Sequence, residues 1–153
     1  MSIPIRTCFW FGGNGLEAAE FYVSLLPDSR IEHVFRPAPE APPLVIGFSL
    51  AGVPYQILNA EPRFTHSEAV SIVVTTPDQA ETDRLWEAIT ANGGSASQCG
   101  WCKDRFGVSW QIIPEALPGL LSHPDADARQ RVFTAMLAMQ KIDVAMLEAA
   151  ARG

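Results

Sequence analysis

Apolar and polar positions follow the same order in two stretches of the chain. Gly52-Val53-Pro54-Tyr55-Gln56-Ile57-Leu58 and Gly107-Val108-Ser109-Trp110-Gln111-Ile112-Ile113 begin 55 positions apart and share Gly, Val, Gln and Ile at matching places. Tyr against Trp and Leu against Ile are like-for-like exchanges. Self-similarity at a fixed offset constrains the architecture ahead of any local reading. Two copies are too few for a solenoid, so the pattern predicts a single domain made by internal duplication, with a cavity between equivalent elements.

Upstream of the first copy, residues 6–11 are β-branched and aromatic and read as a strand. Gly12-Gly13-Asn14-Gly15 breaks it, and Asn14 with Glu17 has the spacing of a capping box. Ala18, Phe21, Tyr22 and Leu25 recur at helical spacing until Pro27-Asp28. Residues 31–35 and 44–50 read as strands flanking a Pro-rich connection, and Ala51-Gly52 turns the chain into a further strand over 53–59.

The second half repeats that order. Residues 70–74 read as a strand, and Thr76-Pro77-Asp78-Gln79 as a helix start with Thr76 as cap, Pro77 in the first turn and Gln79 closing the box. Leu85, Trp86 and Ile89 form the stripe to be buried, and Asn92-Gly93-Gly94 ends the helix. Strand-like pieces follow over 95–102 and 108–113, joined by a turn over 104–107. The helices align at an offset of 64, Phe21-Tyr22 on Leu85-Trp86, against 55 for the last strands. The second copy therefore lacks the long Pro-rich loop. Beyond Pro114 the chain turns helical: residues 125–140 place Val132, Met136 and Met139 on one face, and 143–152 form a short second helix. This tail has no counterpart in the first half, and its apolar stripe predicts a packing lid or dimer contact. The segments are thus 1–62, 63–114 and 115–153.

Composition narrows the class. The 153 residues are 48% hydrophobic and 18% charged, as in an ordinary soluble globule. A net charge of −6, with 11 scattered basic residues, argues against nucleic acid, which needs clustered Lys and Arg. No apolar run approaches the roughly 18 residues of a membrane helix, and the first residues lack the layout of a secretory signal. Cys8, Cys99 and Cys102 are too few and odd in number for a disulfide framework, so a reducing cytoplasm is the expected location.

Phe9-Trp10-Phe11 through Asn14, the run from Glu17 to Tyr22, Glu68-Ala69-Val70-Ser71, Cys99-Gly100-Trp101, the run from Lys103 to Gln111, and Lys141-Ile142-Asp143 together resemble the PhnB-like branch of the vicinal oxygen chelate superfamily. This superfamily comprises the glyoxalase, bleomycin-resistance and dioxygenase proteins, and the branch is often labelled 3-demethylubiquinone-9 3-methyltransferase-like. The resemblance spans nearly the whole chain in the right order. It implies an α+β fold of tandem βαβββ modules forming an open mixed β-barrel, here with an added C-terminal helical segment, and commonly a homodimer.

The resemblance also implies four positions for divalent-metal ligands, one from the first and one from the last strand of each module. Carried onto this chain they fall at Thr7, Gln56, Ser71 and Gln111, which include no imidazole and no carboxylate. Strong sites for divalent cations draw on His, carboxylate or thiolate donors, so no metal cofactor is expected and the site is vestigial. Strand alternation is expected to put Thr7 with Phe9, Gln56 with Leu58, and Gln111 with Ser109 and Ile113 on one pocket face. With Trp101 and Lys103 beside them, the candidate ligand-binding residues are Thr7, Phe9, Gln56, Leu58, Ser71, Trp101, Lys103 and Gln111.

Other local signals favour structural roles. Cys99-Gly100-Trp101-Cys102 sits in strand-like sequence, which would point its thiols to opposite faces. Gly12-Gly13-Asn14-Gly15 lacks the spacing of a nucleotide loop. Runs of three strands do not suit a Rossmann-type methyltransferase. His33, His66 and His123 are dispersed, and His66 with Glu68 is the one close pair of candidate metal ligands. Lys103-Asp104-Arg105 reads as a solvated turn that can also meet an anionic group. Three functions follow: metal-independent binding of a small molecule; a lyase, isomerase or dioxygenase using a divalent metal; or a dimeric interaction module whose relic cavity is plugged by Phe9, Phe48, Trp101 and Trp110.

Overall fold

A computed structural model describes residues 3–153. The chain forms two compact units, one ending at Thr65 and the other running from His66 to Gly153. The first contains β1 (Thr7–Phe11), α1 (Gly15–Leu25), β2 (Arg30–Phe35), β3 (Val45–Leu50) and β4 (Val53–Asn59). Its sheet runs β1-β4-β3-β2, with β1 parallel to β4 and the other pairs antiparallel. The second contains β5 (Ser71–Thr76), α2 (Gln79–Thr90), β6 (Ser95–Ala96), β7 (Trp101–Lys103) and β8 (Ser109–Pro114). Its sheet runs β5-β8-β7-β6 with the same parallel and antiparallel pattern. The βαβββ order thus occurs twice, and neither sheet closes on itself.

In the first unit α1 covers one face of the sheet. Ala18, Ala19, Tyr22 and Leu25 are buried on the helix, and Phe9, Phe11, Ile46, Phe48 and Ile57 on the strands. Rings dominate this core: Tyr55 stacks on Phe48 at 5.5 Å and on Phe9 at 6.0 Å, and Tyr22 tilts against Phe48 at 6.2 Å. Such pairs add about 0.5–1.5 kcal/mol each beyond the area they bury. In the second unit Leu85 and Ile89 of α2 are buried together with Ile72, Trp110 and Ile112.

Asn14 is the N-cap of α1, yet its side chain makes no capping hydrogen bond. The acceptor comes from Asn59 at the end of β4, whose Oδ1 takes the N–H of Gly15 at 2.8 Å and of Gly13 at 3.1 Å. Asn59 Nδ2 donates in turn to the carbonyl of Pro43 at 2.9 Å. One buried amide therefore does the work expected of an Asn14–Glu17 box. In α2 the cap is Asp78, which accepts from Glu81 N at 2.8 Å, so Thr76 is not the cap. Thr76 ends β5 instead, buried, with its hydroxyl 2.6 Å from that of Thr82.

Residues 95–102 do not form one strand. Ser95 pairs with Lys103 and Ala96 with Cys102 across a hairpin, and Cys99 and Gly100 both take positive φ in its turn. That turn leans on the tail, with Cys99 N donating to Met139 O at 2.9 Å and Gly100 N to Gln140 O at 2.8 Å. The tail comprises α3 (Ala116–Leu121), α4 (Ala126–Leu137) and α5 (Val144–Arg152). Asp125 and Asp143 cap the last two helices. Leu117, Val132, Met139, Ile142 and Leu147 form its core. Gln79 of α2 holds it, donating to Ile142 O at 3.0 Å and accepting from Val144 N at 2.9 Å. Lys141 adds an ion pair to Asp83 at 2.6 Å.

Candidate functional site

Each sheet has one face covered by its helix and one open face, and strand alternation decides which side chains reach the latter. In the second sheet Trp110 and Ile112 are buried with Leu85 and Ile89, which leaves Ser109 and Gln111 on the open face, while Ile113 beyond them packs against the tail cluster. Register places Ser71 and Lys103 beside Ser109, and Trp101 beside Gln111. Gln111 Nε2 donates to Ser71 Oγ at 2.9 Å. The expected neighbours Ser71, Trp101, Lys103 and Gln111 therefore share one face.

A cavity of about 140 Å³ opens on this face, lined by Glu68, Ser95, Ser97, Trp101, Lys103 and Ser109 among others. Lys103 Nζ lies 2.6 Å from Glu68 Oε1. That hydrogen bond holds the Glu68 carboxyl below the usual carboxylate range. The Ser109 hydroxyl is buried and has no hydrogen-bond partner among the described residues. Below it, Asp104 anchors the β7–β8 hairpin, accepting from Phe106 N, Val108 N and, at 2.8 Å, Trp110 Nε1.

The first sheet corrects the expectation for Thr7 and Phe9. Cys8, not Thr7, stands in register with Gln56, and Gln56 Nε2 meets Cys8 Sγ at 3.7 Å. Thr7 and Phe9 pair with Tyr55 and Ile57, on the face that α1 covers, so they do not join Gln56 and Leu58. The connection from β1 to α1 is one residue longer than that from β5 to α2, and counting back from the helix therefore lands one position late, on Thr7 in place of Arg6, the register equivalent of Ser71. The same alternation removes Phe9, Phe48 and Trp110 from any plugging role, since all three lie in the helix-covered cores. Trp101 alone of the four faces outward.

Gln56 also has a neighbour that the sequence did not suggest. Gly47 lies in register between Gln56 and His33, and a Cβ on Gly47 would stand 2.1 Å from His33 Cε1. The imidazole thus lies across the glycine on the open face, in a row with Gln56 and Cys8. His33 and Cys8 lie 25 positions apart in the sequence and come into one row only through the strand register; the signal in the sequence was a glycine inside an apolar strand, which marks close approach.

The donor chemistry at the implied metal positions is poor. Gln111 and Ser71 are neutral and bonded to each other, Gln56 is an amide, and Thr7 faces away. Among the described residues no group of three or more His, Cys, Asp or Glu side chains converges. Glu68 is engaged by Lys103, while His66 lies by the hairpin, near Gly107. Burial lowers the His66 pKa, and the charge of Asp104 opposes that shift. This donor set does not fit a tightly held divalent cation.

The two remaining thiols are structural. Cys99 sits in the hairpin turn with its Sγ 3.6 Å from Met136 O, so it does not occupy a strand face opposite Cys102. Burial, helped by Asp104, pushes the Cys102 thiol up to about 12, and a neutral thiol is a poor nucleophile and ligand.

Among the described residues no helix is long and apolar enough to cross a membrane. The model of the 3-demethylubiquinone-9 3-methyltransferase family matches residues 4–113. No curated protein matches the chain. The structure is similar to a PhnB protein from Bacillus cereus, with 27% identity, a TM-score of 0.66, and coverage of 72% of this chain and 98% of that one. A protein from Pseudomonas aeruginosa is 23% identical, with a TM-score of 0.62 and coverage of 74% and 98%. The fold extends to the fosfomycin resistance protein FosX from Mesorhizobium loti, at 14% identity, a TM-score of 0.56 and coverage of 80% and 99%. With the sheet topology and most of its length accounted for, the chain belongs to the 3-demethylubiquinone-9 3-methyltransferase family, in the PhnB-like branch of the vicinal oxygen chelate superfamily.

Proposed function

We propose that the chain binds a small molecule without a metal, using the open face of the second sheet. The observation that carries this reading is the cavity beside Lys103, together with the buried, unbonded hydroxyl of Ser109 in its lining. A buried polar group without a partner is uncommon in folded proteins, and an incoming ligand atom supplies one. Metal independence rests on the neutral donors at Gln56, Ser71 and Gln111.

The family's methyltransferase description is not part of this reading. Two βαβββ sheets lack the alternating strands and helices of a doubly wound nucleotide-binding sheet. The homodimer implied by the family belongs to the same proposal, and sedimentation equilibrium tests it.

Thermal melting of dialysed protein against a broad metabolite library tests binding. A ligand at a hundredfold excess over its Kd adds about 2.7 kcal/mol, enough to raise the melting temperature by several degrees. A library that leaves the transition unmoved overturns the reading. Elemental analysis tests the second part, and stoichiometric Ni, Zn, Fe or Mn overturns metal independence.

A further inference from the structure

We propose that the cavity on the open face of the second sheet takes an oxyanion, a carboxylate or phosphate carried by a small molecule, which replaces Glu68 as the partner of Lys103. The proposal rests on the small-molecule reading above and specifies its ligand class.

Charge sets the class. Among the described residues lining the cavity, Lys103 is the one basic side chain and Glu68 the one acidic side chain. Three serines, Ser95, Ser97 and Ser109, supply hydroxyls, and the Ser109 hydroxyl has no partner among the described residues. An ammonium group with convergent hydroxyls matches an oxyanion better than a cation or an apolar group.

The arrangement also explains how the site opens. Lys103 is fixed on β7, whereas Glu68 lies in the irregular segment before β5, with its side chain 63% exposed. An ion pair with so much solvent access is weak, so Glu68 acts as a stand-in carboxylate that a better anion displaces. The same hydrogen bond from Lys103 holds the Glu68 carboxyl below the usual carboxylate range, so the group to be displaced is itself an anion.

Size limits the ligand. At about 140 Å³ the cavity lies well below the roughly 300–1,000 Å³ of drug-sized pockets. It therefore takes an acid head group with a small flat body against Trp101, and has no room for a whole nucleotide cofactor.

Nuclear magnetic resonance titration of the full-length 15N-labelled chain tests this, with sodium benzoate, inorganic phosphate, phenyl phosphate and uncharged benzyl alcohol as probes. The anions are expected to shift the amides of Ser95, Trp101, Lys103 and Ser109. Which of benzoate and phenyl phosphate binds tighter distinguishes a carboxylate source from a phosphate source. Glu68→Gln should tighten anion binding about twofold to fivefold, the range expected for removing an exposed ion-pair competitor. Lys103→Met should weaken it at least about tenfold, as for loss of a hydrogen bond to a charged group. Lys103→Arg, which keeps the charge, should restore binding and controls for folding. If benzyl alcohol binds as well as the anions and Lys103→Met changes nothing, the oxyanion assignment falls while small-molecule binding stands. If no probe shifts these amides, the oxyanion assignment also falls, and the metabolite library alone then decides the broader reading.

Discussion

The amide of Gln111 donates to the hydroxyl of Ser71 at 2.9 Å, so two positions implied as metal ligands in the second module satisfy each other. Their counterparts in the first module do not repeat the pairing, because Gln56 meets Cys8 at 3.7 Å and Thr7 pairs with Tyr55 on the opposite face. Replacing Gln111 with Leu should cost about 0.5–1.5 kcal/mol, the usual net value of one such bond. Urea denaturation measures it, and an unchanged midpoint would show the pair to be incidental.

Asn59 carries a larger expected effect. Its buried side chain serves two N–H groups at the start of α1 and one carbonyl in the Pro-rich loop. Asn59→Ala leaves these groups unpaired and should destabilise the first unit by about 1–3 kcal/mol or more. Asn59→Asp keeps the acceptor and loses the donor, so its loss should be smaller. Equal losses in the two variants would count against the capping role.

Gln79 joins α2 to the tail through Ile142 and Val144. Gln79→Ala should cost about 1–3 kcal/mol and speed hydrogen exchange at Val144 ahead of the sheet amides. Exchange unchanged at Val144 would argue that the apolar cluster alone holds the tail.

Gly94 and Gly119 make a contrasting pair. A Cβ on Gly94 would stand 2.3 Å from Ile89 O and 2.7 Å from Lys103 O, both backbone atoms that cannot swing aside. Gly119, in α3, has nothing within 4 Å. Gly94→Ala should therefore destabilise by about 1–3 kcal/mol through overpacking. Gly119→Ala should be neutral or stabilise by up to about 1 kcal/mol through helix propensity. Melting temperatures of the two variants settle the order.

His66 gives a pH dependence of defined sign. Burial lowers its folded-state pKa below the usual value of about 6.5, so folding favours the neutral ring. Its contribution is complete above the unfolded pKa and disappears as pH falls through the lower folded one. Stability should thus decline on acidification below about pH 6.5, and His66→Gln should flatten that part of the curve. A His66 titration midpoint above the unfolded value, read by nuclear magnetic resonance, would reverse the prediction.

Much of the fold was legible because period-2 and period-3.6 patterns record burial directly. Ala18, Tyr22, Leu85 and Ile89 face the cores as their spacing requires. What failed depended on contacts between distant residues. Asn59 could not be recognised as the cap of α1 from 44 positions away, because capping patterns are local and this acceptor is not. The face of Thr7 was misjudged by a one-residue difference in a loop, and in a strand a shift of one exchanges the two faces. Cys99 entered a turn because its backbone finds acceptors in the tail, which strand propensity does not register. On the open face of the second sheet, where the repeat itself aligned Ser109 and Gln111, the candidate residues were found together.

The docking of the hairpin turn on the tail has a consequence for biosynthesis. Cys99 and Gly100 donate to the carbonyls of Met139 and Gln140, about forty positions further along the chain. Those acceptors leave the ribosome after the turn itself, so the hairpin bearing Trp101 and Lys103 gains these two bonds only once about forty further residues have been made. The second half of the duplication thus matures late, and premature termination before Met139 yields a polypeptide whose turn has lost its support.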